Sequence, residues 1–264
     1  MAVENKNIFI TGSTDGIGKM LAIEFAKKGA NIIAHGRNSK TLDSLYDALE
    51  EQGNGKHLII EADLKYLNEQ GALQVMHEIN KHYECLDGII HNAAVLGKLS
   101  PLESYDASIW EEILQVNLTA PFLLTKALIP LVKTSKFARI IFTSSGVATQ
   151  GRSFWGAYNV SKIGLKGLAE IFDDEFQFKN NLKIFSFDPG ATNTKMRAAA
   201  FPAENPNGVK HPLYLLACYE WFFEQESQVS KKSFFKYSDF HLPKDAKDTD
   251  TSKSCLLYTS DAAD

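Results

Sequence analysis

Cysteine is scarce in this chain: Cys85, Cys218 and Cys255 are the only three in 264 residues. None stands at the short spacing of a zinc site or a redox pair, which argues against metal or disulfide scaffolding and for a reduced, cytoplasmic setting. Long hydrophobic runs are also wanting. The longest, "PLYLLACYEWFF", is too short for a bilayer and carries Glu220, so no membrane association is expected. There is no excess of positive charge, because the net charge is −4, and nucleic acid is not an expected partner. No secretion signal is expected, because "NIFITG" reads as a strand within the first ten residues. The seven histidines stand singly, with His77 and His82 five apart and off one helical face, so no metal is expected. A G-x-S-x-G elbow is lacking, which leaves hydrolase chemistry at Ser144 or Ser145 without support.

What is present is an alternation. Short apolar runs, "NIFIT", "NIIAH", "HLIIEA", "DGIIHN", "RIIFTS", "KIFSFD" and "SFFKY", read as strands. Helical patterns lie between them near residues 17–28, 39–52, 66–82, 106–136, 156–179 and 211–226. The expected fold class is α/β, a single Rossmann-like doubly wound parallel sheet of about seven strands with helices on both faces, over residues 1–243. Residues 244–254 are polar, charged and without periodicity, and a disordered tail is expected there. The last ten residues, "CLLYTSDAAD" at 255–264, resemble a transposase-type sequencing adapter translated as coding DNA and are expected to be no part of the fold.

The first strand runs into "TGSTDGIGKMLAIEFAKKGA", a glycine-rich turn followed by an amphipathic helix. Gly12 permits a tight turn, Gly16 lets backbone approach a pyrophosphate, and Gly18 lets helix pack against strand. The N-terminal amides of that helix would then face the phosphates. A site that prefers NAD needs an acid near the end of the second strand to hold the ribose 2′-hydroxyl. Here that strand ends "AHGRNSK", with no acid before Asp43 and Arg37 at the expected place. A guanidinium fork suits a 2′-phosphate, so NADP(H) is favoured over NAD(H). Asp63, after the third strand, suits an adenine amino group and suits equally a turn or helix cap.

In "SSGVATQGRSFWGAYNVSK", Tyr158 and Lys162 stand four apart, on one face of a helix. The lysine charge favours phenolate, so the tyrosine pKa is expected below its reference of about 10. Such a tyrosine can exchange a proton with a hydroxyl or carbonyl, and Ser145, at the end of its strand, is expected to bond the same oxygen.

Together with "TGSTDGIG", the stretches "HNAA", "QVNLTAPFLLTKALIP" and "DPGATNTKM", in that order, make the chain resemble the short-chain dehydrogenase/reductase family over about residues 6–226, and within it the bacterial YciK-type branch. The resemblance implies an oxidoreductase acting on a carbonyl or secondary alcohol. Asn117 would kink its helix and hold a water joining Lys162 to solvent. Ser145 would orient the substrate oxygen, Tyr158 would act as general acid or base, and Lys162 would bind the nicotinamide ribose. The cofactor would lie along Gly12, Ser13, Asp15, Gly16, Ile17, Gly18, Arg37, Asp63, Leu64, Asn92, Ala93, Pro189, Gly190 and Thr194. Two departures stand out. The usual N-N-A-G reads His91-Asn92-Ala93-Ala94, and the last strand, in "SKKSFFKYSDF", lacks the usual glycines.

A non-catalytic NADP(H)-binding sensor or scaffold on the same fold is the second reading, disfavoured because a sensor has no need of Tyr158, Lys162, Ser145 and Asn117 together. Arg152, Phe154, Trp155, Met196 and Phe201 are candidate substrate contacts, giving apolar walls and one anion anchor; loop packing and a solvated charge explain them equally well. The long helices around 106–136 and 156–179 resemble those that pair between subunits in the family, so a homodimer or homotetramer is expected.

Overall fold

The computed structural model describes residues 2–52, 55–176 and 181–240. His241, Cys255, the expected tail at 244–254, the adapter-like 255–264 and the last three positions of the helix read over 156–179 lie outside the described residues. Seven strands form one wholly parallel sheet: β1 (Asn7–Ile10), β2 (Asn31–Gly36), β3 (Leu58–Glu61), β4 (Gly88–His91), β5 (Ala138–Thr143), β6 (Leu182–Asp188) and β7 (Phe234–Lys236). Their spatial order is β3-β2-β1-β4-β5-β6-β7. The chain winds outward one way as far as β3, returns to the middle, and then winds the other way. The reversal opens a crevice beyond the carboxyl ends of β1 and β4, where open α/β sheets bind ligands.

Alternation along each strand divides the core between two faces. Phe9, Ile89, Ile140 and Phe142 pack with Leu124, Leu128, Leu165 and Phe172 on one side. Ile8, Ile10, Ile90 and Ile141 pack with Leu21, Phe25, Trp221 and Phe222 on the other. Every residue of β4 and β5 is buried, which is why both strands centre on apolar residues (Ile89 and Ile90; Ile140, Ile141 and Phe142) with no alternating polar face.

The helices are α1 (Gly16–Lys27), α2 (Ser39–Glu50), α3 (Glu69–His82), α4 (Ala107–Leu114), α5 (Ala120–Thr134), α6 (Gly156–Phe176), α7 (Lys195–Ala200) and α8 (Leu216–Trp221). Side-chain caps set where several begin. Asn38 and Asn68 accept backbone N–H groups of Thr41 and Gly71, at 3.1 and 2.8 Å, so α3 starts three residues later than its sequence pattern. The expected helix over 211–226 is broken into single turns around α8. Pro212 opens one, and the aromatic side chains of Tyr219, Trp221, Phe222 and Phe223 are all buried, which no amphipathic stripe would achieve. The short helix α7, absent from the sequence expectation, is capped by Thr194.

The glycine-poor C-terminal segment has its own anchor. Arg139 of β5 is wholly buried; its Nε donates to Phe222 O and Ser227 Oγ, and its Nη2 to Gln228 Oε1. These bonds fasten residues 222–228 to the sheet, and Phe235 and Phe240 close over the aromatic cluster. Among the described residues, Ala107–Thr134 is the stretch long and apolar enough by composition to cross a membrane, in place of "PLYLLACYEWFF". Its α5 part lays Leu124, Leu128, Leu131 and Val132 into the core.

Two buried histidines tie stability to pH. Burial pushes His35 down to about 4 and His91 down to about 3. Unfolded histidine titrates near 6.5, so below that pH the unfolded chain takes up protons that the folded chain refuses. Their effect on stability is nil above about 6.5 and grows as pH falls toward 4, by on the order of 3 kcal/mol per histidine. Thermal melts between pH 7 and 4.5 are expected to show a falling Tm, and His91→Leu should flatten that fall. An identical pH slope in the variant would show that His91 is not its source.

Candidate active site

The crevice over β1 and β4 is a cleft of about 900 Å³, running from Arg37 and Asp63 at one end, past Tyr158, to Arg152 and Phe201 at the other. The glycine turn forms its floor. Gly12 has φ +67°, and a Cβ there would meet Ala93 Cα at 2.9 Å. At Gly18 a Cβ would lie 2.2 Å from the Gly12 carbonyl oxygen and 2.6 Å from Asn92 Nδ2. Only glycine permits that approach, and it brings the start of α1 to the end of β1. Thr11 completes the joint: its Oγ1 accepts the N–H groups of Asn92 and Ala93, each at 3.0 Å. The extra methyl of Ala94 lines the cleft and leaves this contact undisturbed.

His35 was not singled out by sequence, and it braces the turn. Its Nδ1 accepts the Gly12 N–H at 3.3 Å, so its Nε2 carries the proton donated to Ala62 O at 3.1 Å. Ser13 is wholly buried; its hydroxyl bonds Ile10 O and accepts the His35 N–H at 2.8 Å. Ser13 and Gly18 therefore support the turn from beneath, and Thr14 takes the cleft-facing place. Asp15 caps α1 through the Gly16 N–H and forms an ion pair with Lys195 of α7 at 2.9 Å. Asp63 closes a turn on the Lys65 N–H, as one of its two sequence readings has it, and also lines the cleft. Ile17, Leu64, Pro189, Gly190, Thr194 and Met196 line the cleft as expected, and Phe154 does not. Phe154 is 58% exposed at φ +71°, which turns its ring away.

At the middle of the cleft, Tyr158 is 6% exposed and Lys162 3% exposed, one turn apart on α6. Lys162 Nζ donates to Thr143 O at 2.8 Å and sits 5.7 Å from the centre of the Tyr158 ring. Burial pushes Tyr158 up to about 12; the Ser145 hydrogen bond opposes the rise and the charge of Asp188 adds to it. The expectation of a lowered tyrosine pKa therefore does not hold for the protein alone. Desolvation of the phenolate is the largest cause, and Lys162 is itself depressed to about 8 by burial. Asp188, at the end of β6, is the third ionisable group here, with its carboxyl accepting the Gly190 N–H at 2.9 Å. Sequence reading missed it because nothing in "DPG" says which way the aspartate points.

Asn117 lies in a single π-turn, Gln115–Thr119, that joins α4 to α5. Its Oδ1 accepts the Val95 N–H at 2.8 Å, and its Nδ2 donates to Val95 O and Ser161 Oγ at 2.9 and 3.1 Å. The expected irregularity is present, but the amide is committed to these partners. A water relay to Lys162 would fall to the backbone of the π-turn.

The cleft fits a dinucleotide on its own terms. Ser144 Oγ is buried there without a hydrogen-bond partner in the protein. Gly16, at φ +53°, opens α1 with its first-turn amides toward the space, and Arg37 reaches no carboxylate among the described residues.

A family profile for short chain dehydrogenases matches residues 6–205. The uncharacterized oxidoreductase YciK of Escherichia coli (strain K12) is 35% identical over 226 residues, covering 86% of this chain and 89% of that protein. A short chain dehydrogenase from Shigella flexneri 2a, solved as a complex with NADP, superposes with a TM-score of 0.86 at 34% identity, covering 90% of this chain and 99% of that one. One from Escherichia coli CFT073, complexed with NADPH, superposes with a TM-score of 0.85 at 35% identity, covering 89% and 98%.

Proposed function

The chain belongs to the short-chain dehydrogenase/reductase family of oxidoreductases, and on that premise we propose that it moves a hydride between NADP(H) and a carbonyl or secondary alcohol, with Tyr158 carrying the proton. The observation that carries this reading is the meeting of Tyr158, Ser145 and Lys162 midway along one cleft that holds the glycine turn and Arg37 toward one end. A sensor would gain nothing from burying a lysine and a tyrosine together at such a cost in desolvation.

Gly12, Gly16 and the first turn of α1 would hold the pyrophosphate, with Arg37 on the 2′-phosphate and Asn92, Ala93, Pro189, Gly190 and Thr194 toward the nicotinamide. When bound, the nicotinamide supplies the hydride in reduction and takes it in oxidation. In reduction Tyr158 donates its phenolic proton to the substrate oxygen, and in oxidation the phenolate takes it back. Ser145 bonds the same oxygen and holds it at the phenol. Protonated Lys162 stabilises the phenolate and reaches the ribose, while Asn117 ties the Val95 segment to Ser161 of α6.

NADP complexes of two structural relatives and the unpaired Arg37 support an NADP(H) preference. NADPH is expected to bind at least tenfold tighter than NADH, about 1.4 kcal/mol, and Arg37→Asp should erase or reverse the difference. Equal dissociation constants in the unaltered protein would sink the assignment.

For Tyr158 the decisive quantity is how its pKa responds to the oxidised cofactor. Phenolate absorbance, taken as wild type minus Tyr158→Phe, should appear near 12 in the free protein and at clearly lower pH with NADP⁺ bound. Turnover should collapse in Tyr158→Phe while NADPH affinity holds, whereas Lys162→Ala should lose both. An unmoved titration together with near-normal Tyr158→Phe turnover would require another proton carrier.

We also propose a homodimer or homotetramer. Val160, Ile163 and Ile171 are 45%, 43% and 58% exposed and align along one face of α6, and Gly167, on the same face, has open space beside it. The apolar excess lies there more than on α5, whose large side chains are mostly buried. Light scattering at micromolar protein should give a multiple of 29.4 kDa, and a monomer mass would refute the assembly.

A further inference from the structure

The cations along the cleft are almost all spoken for. Lys65 pairs with Glu112 at 2.7 Å and Lys195 with Asp15 at 2.9 Å. Arg197 makes a two-pronged pair with Glu204, through Nε at 2.6 Å and Nη2 at 2.5 Å. Lys162 is buried on the Thr143 carbonyl. Among the described residues two cleft arginines reach no carboxylate, and they stand at its opposite ends. Arg37 belongs to the cofactor end. Arg152 belongs to the end beyond Tyr158, away from the residues assigned to the cofactor and to proton transfer.

Arg152 is exposed at the cleft, with two aromatic rings beside its guanidinium. Its Cζ lies 5.2 Å from the Trp155 ring centre and 5.9 Å from that of Phe201. Those two rings are 5.8 Å apart, and Trp155 is in turn 5.8 Å from the ring of Tyr158. An aromatic wall thus leads from the proton carrier to the guanidinium. The backbone beneath is pinned as well. Asn159, buried and next to Tyr158 in sequence, accepts the Arg152 N–H at 2.5 Å and donates to Val147 O and Gln150 O at 2.6 and 3.2 Å.

We propose that the substrate is anionic: a carbonyl or alcohol compound with an apolar or aromatic body that lies along Trp155 and Phe201 and ends in a carboxylate gripped by Arg152. A planar guanidinium matches a carboxylate with two parallel hydrogen bonds, and stacking on rings limits the freedom lost on binding. The proposal rests on Tyr158 marking the reacting end of the substrate.

The test uses full-length protein saturated with NADP⁺ and a series of primary alcohols bearing a terminal carboxylate, on a phenyl ring or on chains of three to eight carbons. Each is paired with its carboxamide, and binding is measured by calorimetry. At least one carboxylate should bind tenfold or more tighter than its own amide. Arg152→Gln should bring that ratio to about one, and Arg152→Lys should keep part of it. No carboxylate preference anywhere in the series, or a preference that survives Arg152→Gln, overturns the proposal. Reduction of the matching aldehydes with NADPH is followed separately. Turnover without carboxylate preference keeps the redox reading and discards this one; an Arg152-dependent preference without turnover of any member does the reverse.

Discussion

The contact on which the site depends is the approach of α1 to β1 at Gly18, where not even a methyl group fits between helix and the Gly12 carbonyl. Because the helix starts so close to the strand end, its first amides open into the crevice at the switch point between β1 and β4. Everything beneath the turn serves to hold that geometry. Ser13 and His35 bolt it to β2, and Thr11 with Asn92 bolts it to β4. The neutral state of His35 is part of the device, since a protonated ring has no lone pair for the Gly12 N–H. Acid should therefore weaken the turn and the fold through the same side chain.

Burial dominates the electrostatics at the middle of the cleft. Lys162, Tyr158 and Asp188 all sit where water is largely excluded, and burial is the first cause of the shift at each of them. Each is displaced toward its neutral form, which leaves the trio responsive to any charge that arrives. A cationic nicotinamide would be such a charge. Under the proposed function the cofactor, and not Lys162 alone, would favour the phenolate.

The segment proposed to recognise the substrate is fastened independently of the sheet. Asn159 ties three backbone groups of residues 147–152 to the helix that carries Tyr158, so the loop is fastened directly beside that side chain. Across the opening, α7 brings Lys195 to Asp15 and sets Arg197 over Phe201 at 3.7 Å. One wall is therefore locked to the catalytic helix, and the other is clasped to the glycine turn by an exposed ion pair that adds little stability and is open to exchange.

Local pattern determined the seven strands, the glycine turn and the main helices, and family resemblance added many of the residues that line the cleft. Apolar runs, caps and glycine spacing are properties of neighbouring residues, and steric rules read them directly. Strand order was another matter, because pairing β1 with β4 as well as with β2 depends on contacts some eighty residues apart. Side-chain direction was equally hidden: Ser13 and Gly18 face the core, Phe154 turns outward, and Asn117 commits its amide to Val95. The broken helix around α8 follows from an aromatic cluster that only the folded sheet assembles, with the buried Arg139 holding its end. The direction of the Tyr158 shift was decided in the same way. A four-residue spacing reports the nearby charge, but only the tertiary structure sets how much water is removed, and here the removal of water wins.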